Sequence, residues 1–248
     1  MNYPTKNIEK LEWDSAFFGI NIGKLTIHNE KEFDPLVFLN EAKKGDFSLV
    51  YVFIFQKMLT WEKVLRSNLK LVDIQTTMSM KFNKENYKNL PYLLINELTQ
   101  NEINECYKIA EDTSEVSRFF NEKKIGKLKT KELYRKWIDN ALNKSFADGL
   151  FIEKENGIVS GIHVHKTDST NKIGYFPLTG VGRNNKRKGI GKKLWEQALA
   201  YWANENEIEI IKSTFSFQNA ESLNFHLKMS FNKIEEVKYI YHFSNELN

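Results

Sequence analysis

The chain has 248 residues, 41% hydrophobic and 27% charged, which is the balance of a soluble globular protein with length for one large domain or two small ones. No stretch approaches the roughly 18 uninterrupted apolar residues of a membrane span, and the start, Met1-Asn2-Tyr3-Pro4, shows no basic-then-apolar signal peptide. A net charge of +4 favours small anions but lacks the strong basic footprint of a nucleic-acid binder, and the single cysteine, Cys106, has no disulfide partner and suits a reducing cytoplasm.

Residues 1–80 read as alternating short strands and helices. "FSLVYVFIF" (47–55) is a buried-strand run, "TWEKVLRSNL" (60–69) has helical spacing of apolar residues, and "TTMSMKF" (76–82) alternates with period two. The polar, aperiodic "NKENYKNLP" (83–91) with Pro91 places an expected domain boundary, giving segments 1–88 and 89–248. Cys106, in the helical "NEINECYKIA", reads as a small core residue rather than an acylated nucleophile. Further on, "LYRKWIDNAL" (133–142) sets Leu133, Trp137, Ile138, Ala141 and Leu142 on one helical face.

"LFIEKENGIVSGIHVH" (150–165) predicts a hairpin turning at Asn156-Gly157. Its second strand sets His163 and His165 on one face, without the further Cys or His ligands that a metal would need. "KIGYFPLTGV" (172–181) is a further strand, and Pro177 marks a bulge or irregular edge. Ile190, Leu194, Trp195, Ala198, Leu199 and Trp202 form a helical stripe; "IEIIKSTFSF" (208–217), "NAESLNFHLKM" (219–229) and "VKYIYHF" (237–243) then read as strand, helix and strand. The order is that of an α/β fold.

"KRKGIGKKLW" (186–195) is the most informative stretch. A strand, then Gly-x-Gly, then a helix is a recurring anion site, because the first helical turn leaves amide N–H groups free and glycine lets the backbone approach a phosphate. Arg187, Lys188 and Lys192 add charge-assisted contacts. The nucleotide-binding loop ending in Gly-Lys-Ser/Thr is absent, and the dinucleotide fingerprint fails because Leu194 occupies its third glycine.

"VGRNNKRKGIGKKLWEQAL" (181–199) resembles the acyl-coenzyme A loop of the GCN5-related N-acetyltransferase (GNAT) superfamily, with Lys186 where that pattern has Arg or Gln. "NAESLNFHLKMSF" (219–231) is similar to its second signature, in which Asn219, Ser222, Phe225 and Phe231 match, His226 replaces a tyrosine and Ser230 a glycine. The resemblance implies a GNAT fold: a mixed, mostly antiparallel central sheet flanked by helices, here preceded by a smaller N-terminal α/β domain on the acceptor side. It implies acyl-coenzyme A as co-substrate, no metal, and a cofactor site comprising Leu178, Thr179, Gly180, Val181, Lys186, Arg187, Lys188, Gly189, Ile190, Gly191, Lys192, Asn219, Ser222 and Phe225. The pyrophosphate would lie in the loop and the pantetheine arm along the strand. The tyrosine of that signature serves relatives as the acid that protonates the departing thiolate, so His226 becomes the candidate acid.

"LEWDSAFFGINIGKL" (11–25), "SRFF" (117–120) and "ELYRKWIDNALNKSF" (132–146) resemble the bacterial dTDP-fucosamine acetyltransferases and related dTDP-amino-sugar N-acyltransferases. This resemblance implies acyl transfer, acetyl or larger such as 3-hydroxybutanoyl, to a dTDP-linked 3-amino- or 4-amino-dideoxyhexose in surface-polysaccharide synthesis. Homodimers are common among such relatives, and the sequence shows no interface. Arg118 suits a phosphate, while Phe17, Phe18, Phe119, Tyr134 and Trp137, with Gly19 in the WDSAFFG segment, are candidates to surround thymine or the sugar. Rival readings are acylation of another amine, such as an amino acid, antibiotic or protein terminus, and a coenzyme A-binding protein without turnover.

Overall fold

Strand-forming runs separated by amphipathic helices assemble into one mixed sheet with helices on both faces. The computed structural model describes residues 7–55, 57–93 and 97–245. In chain order these hold β1 (Glu9–Lys10), α1 (Glu12–Phe18), β2 (Ile22–Ile27), α2 (Pro35–Lys44), β3 (Leu49–Phe55), α3 (Trp61–Arg66) and β4 (Lys70–Lys81). Then follow α4 (Gln100–Ser114), α5 (Gly126–Leu142), β5 (Gly149–Glu155), β6 (Ile158–Asp168) and β7 (Ile173–Val181). The chain continues through α6 (Ile190–Glu205), β8 (Ile210–Ser216), α7 (Ala220–Lys228) and β9 (Lys233–Ser244).

The nine strands lie in the order β1-β2-β3-β9-β4-β8-β7-β6-β5. All neighbours are antiparallel except β2–β3 and β7–β8. The expected boundary at 83–91 falls between β4 and α4, but the sheet runs across it. The last strand, β9, is inserted between β3 and β4 and pairs with both. Hydrogen bonding therefore joins the first segment to the end of the chain.

Side-chain alternation along the strands sorts the core onto two faces. Phe18 of α1, Cys106 and Ile109 of α4, and Leu133 and Ile138 of α5 cover Tyr51, Ile162 and Val164 on one face. On the other, Phe38 and Ala42 of α2 cover Val50, Val52 and Ile54, while the α6 stripe of Ile190, Leu194, Trp195, Ala198, Leu199 and Trp202 is entirely buried beside Phe151 and Phe176. The Asn156-Gly157 hairpin turn is present, both residues having positive φ (53° and 81°), as a tight two-residue turn requires. Pro177 sits where the β6–β7 register shifts, between the Val164–Leu178 and Lys166–Tyr175 pairs. A proline brings no N–H to the ladder, which fits it to such an irregularity.

Candidate functional site

Two local devices open the sheet at β7. Parallel pairing of β7 with β8 covers only Ile173–Phe176 against Ile210–Ser213. Beyond Phe176, Leu178 to Val181 stay paired to β6, while Thr214 to Ser216 pair with β4. The two strands thus diverge into a wedge, and the β8-side edge of residues 178–181 has no strand partner among the described residues. The chain then turns through Arg183–Asn185 and enters α6 at Gly189, whose φ of 82° is left-handed. Nothing lies within 4 Å of where a Gly189 Cβ would be, so open space adjoins the helix start. A Cβ on Gly191 would rest 3.4 Å from the Phe225 ring, which brings α7 against the same turn.

The first turn of α6 leaves amides 190–192 without helical partners, since the first intrahelical bond runs from the Lys193 amide to the Gly189 carbonyl at 3.1 Å. Lys186, Lys188 and Lys192 are exposed and form surface ion pairs with Glu221, Glu155 and Glu196. Exposed pairs of this kind contribute little to stability, so these ammonium groups can re-pair with an anion at small cost. Arg187 extends from the same loop with a left-handed φ of 64°.

The segment that resembles the second family signature packs against this turn. Asn219 caps α7, its side chain accepting from the Ser222 amide at 3.0 Å. Phe225 packs edge-on to Trp195, ring centres 4.6 Å apart. Thr179 accepts from the Trp195 indole at 2.9 Å, and its hydroxyl lies 2.8 Å from His163 Nδ1, tying β7 to α6. His163 and His165 are both buried, and burial depresses both imidazoles, His165 to about 4. Ser230, at the signature's glycine position, has a φ of 69°, so this turn takes the left-handed backbone that glycine favours.

His226 has surroundings unlike those of a free acid. Its ring is 3% exposed and stacks on Phe215 at 4.0 Å. Nδ1 lies 2.7 Å from the Ser222 carbonyl, which can only accept, so the ring proton sits on Nδ1. Nε2 is 2.8 Å from the Ser213 hydroxyl and accepts from it. Burial lowers the pKa to about 4, leaving a neutral imidazole at pH 7 with its one proton engaged by a helix carbonyl. The expected proton donor is thus placed as a packing and bridging residue between α7 and β8.

The candidate acceptor residues converge on the other face, under α1 and the segment linking α4 to α5. The Arg118 guanidinium lies 4.1 Å from the Phe119 ring centre, 5.6 Å from Tyr51 and 5.8 Å from Phe53. Phe18 packs at 6.0 Å on Phe119 and at 5.1 Å on Phe17, and Gly19 ends α1 with a φ of 72°. Tyr134, buried, contacts Trp137 at 4.4 Å and feels the Arg118 charge. Sequence reading missed the neighbours. Asp73 and His242 are ionisable residues buried among apolar neighbours, and that interruption in "LVDI" and "YIYHF" was the available signal. Asp73 is held by the Ser216 hydroxyl at 2.6 Å, and Glu122 by His242 at 2.8 Å. Burial raises the Asp14 carboxyl against the pull of Arg118.

Among the described residues, no cluster of three His, Cys, Asp or Glu is placed to hold a metal ion, and no helix is long and apolar enough to cross a membrane.

Known proteins bear on this arrangement. A protein of unknown function from Staphylococcus epidermidis ATCC 12228 superposes with a TM-score of 0.65 at 14% identity, over 98% of this chain and 94% of that one. A GCN5-related N-acetyltransferase from Kribbella flavida gives 0.51 at 10% identity, over 92% and 83%. At such identities the likeness is one of fold. Comparison with curated proteins gives no match. The acetyltransferase (GNAT) family model matches residues 103–231, more than half of the chain and the whole stretch from the first turns of α4 through the wedge to the end of the second signature. The chain belongs to the acetyltransferase (GNAT) family.

Proposed function

We propose that the protein moves an acyl group from acyl-coenzyme A to the amine of a dTDP-linked 3-amino- or 4-amino-dideoxyhexose, in the synthesis of a surface polysaccharide. The observation that carries the donor half is the β7–β8 wedge opening onto the Gly189 helix start. The residues fit the cofactor. A pantetheine arm bears amides that can add to the free edge of residues 178–181 as a strand would. Amides 190–192, with Lys186, Arg187, Lys188 and Lys192 around them, suit the pyrophosphate. Gly189 and Gly191 keep side chains out of its way, and Phe225 backs the turn.

Chemistry follows from position. A neutral amine attacks the thioester carbonyl carbon, forming the C–N bond. A main-chain N–H from residues 178–180 stabilises the oxygen as it gains charge. The C–S bond then breaks, and the proton lost by nitrogen equals the one gained by sulfur, so the pair leaves as amide and thiol. His226, neutral and enclosed, is assigned a positioning role: it holds α7 on β8 beside the wedge. Placing the two reactants in one site can itself lower the barrier by about 7–11 kcal/mol.

The acceptor half is supported by the gathering of Phe17, Phe18, Arg118, Phe119, Tyr134 and Trp137 at one place on the opposite face. Arg118 offers charge for the diphosphate and the rings offer surfaces for thymine or the hexose. The test is coenzyme A release followed with a thiol reagent, crossing acetyl- and 3-hydroxybutanoyl-coenzyme A with dTDP-linked 3-amino- and 4-amino-6-deoxyhexoses. Rapid release with one pair is expected. Release with simple amines but with none of the sugars would replace the acceptor, and no release from coenzyme A-binding protein would favour a binder without turnover.

A further inference from the structure

We infer that Tyr51, Arg118 and His242 form a subsite that takes one hydroxyl oxygen of the acceptor. The inference rests on the acyltransferase reading above and sharpens its acceptor side. Tyr51 of β3 and His242 of β9 are register partners on neighbouring strands, with ring centres 5.0 Å apart, and the Arg118 guanidinium lies 5.6 Å from the Tyr51 ring. Tyr51 is 1% and His242 2% exposed. Three polar atoms in this group, Tyr51 Oη, Arg118 Nε and His242 Nε2, are buried and have no hydrogen-bond partner among the described residues. Buried polar atoms are seldom left unpaired, so three on adjoining side chains point to a polar partner shared among them.

The kind of group follows from which atoms can donate. Glu122 Oε2 lies 2.8 Å from His242 Nδ1, and Glu122 is further bonded by the Ser244 hydroxyl at 3.1 Å and the Lys124 amide at 3.2 Å. A carboxylate only accepts, so the imidazole proton sits on Nδ1 and Nε2 presents a lone pair. Arg118 Nε only donates, and the Tyr51 hydroxyl can do either. The matching ligand atom accepts from Arg118 and donates to His242 at once, which a hydroxyl oxygen does. A phosphate or carboxylate oxygen leaves Nε2 unmatched, and an ammonium meets the guanidinium with like charge. Asp14, Asp73, Glu122 and Lys70 complete the charges acting on the cluster. An ordered water has the same chemistry as a sugar hydroxyl, and the test separates them.

The experiment compares wild type with Tyr51→Phe and His242→Asn, using a dTDP-amino-dideoxyhexose that turns over and its mono-deoxy analogues at each remaining hydroxyl. Melting and acyl-coenzyme A KM are measured on every protein, and His242→Asn serves where Tyr51→Phe does not fold. The expected result is an acceptor KM about tenfold or more higher in Tyr51→Phe, with acyl-coenzyme A KM unchanged. One deoxy analogue should show the same rise with wild type and no further rise with the variant. Variant effects equal for the parent and all analogues would mean a bound water and overturn the subsite. So would an unchanged acceptor KM with normal turnover, which leaves the acyltransferase reading intact. Absence of turnover with every dTDP-amino sugar overturns that reading and the subsite with it.

Discussion

A histidine where the family signature has a tyrosine invites an acid role, but at His226 the hydrogen bonds favour the proposed positioning role. Both ring nitrogens are engaged, one by the Ser222 carbonyl and one by the Ser213 hydroxyl. His226→Gln, which can keep one of these bonds, is expected to hold kcat within about threefold and leave its pH profile unmoved, because general-acid loss instead costs about 100-fold or more. Steady-state kinetics across pH checks this. The buried histidines have a second consequence. His165 and His226 have folded pKa values of about 4 against 6.5 ordinarily, so the unfolded chain binds more protons between those values. Their full contribution is present above pH 6.5 and is lost as pH falls towards 4, on the order of 3 kcal/mol each. Melting temperature should therefore drop steadily from pH 6.5 to 4; a flat profile in that window would contradict the burial argument. Residue identity showed that His226 stands in the second signature, but not its enclosure against Ser213 and Phe215, which lie on a strand brought to it only by folding.

At the scale of elements, much was legible. The α6 stripe, the Asn156-Gly157 hairpin and the strand at 172–181 all carry their period or turn chemistry locally, and each forms as expected. Pro177 marks an irregularity in β7, yet the wedge depends on β8 keeping its pairing with β4 beyond the point where it parts from β7, a long-range pairing that no local pattern encodes. Gly191 offers a clean probe of the helix start. An added methyl would meet Phe225 at ordinary contact distance, so Gly191→Ala should melt within about 2 °C of wild type, alanine being the better helix former. If the pyrophosphate lies at this helix start as proposed, the same methyl crowds its approach to amides 190–192. Acyl-coenzyme A KM is expected to rise about tenfold, equivalent to about 1.4 kcal/mol, with acceptor KM unchanged. Bisubstrate kinetics on the variant reads both.

For the molecule as a whole, β9 is the decisive element. It lies between β3 and β4, so β4 is joined to the other three strands of the first 88 residues only through the end of the chain. Sequence reading found the polar break at 83–91 and the strand at 237–243 but had no means to see that this strand returns across the break to lie between β3 and β4. Residues 1–88 expressed alone should show no cooperative thermal transition by circular dichroism, because β3 and β4 would each face an unpaired edge. A sharp transition would mean that this segment folds by itself. The same strand carries His242 to the proposed acceptor face, so closing the sheet and completing that face are one event. The claim that the wedge and the α6 start together hold acyl-coenzyme A is tested most directly by hydrogen exchange with and without coenzyme A. The account predicts added protection at amides 178–181 and 190–192, the free strand edge and the free helix turn. Binding of coenzyme A with protection elsewhere and none at these two segments would contradict it.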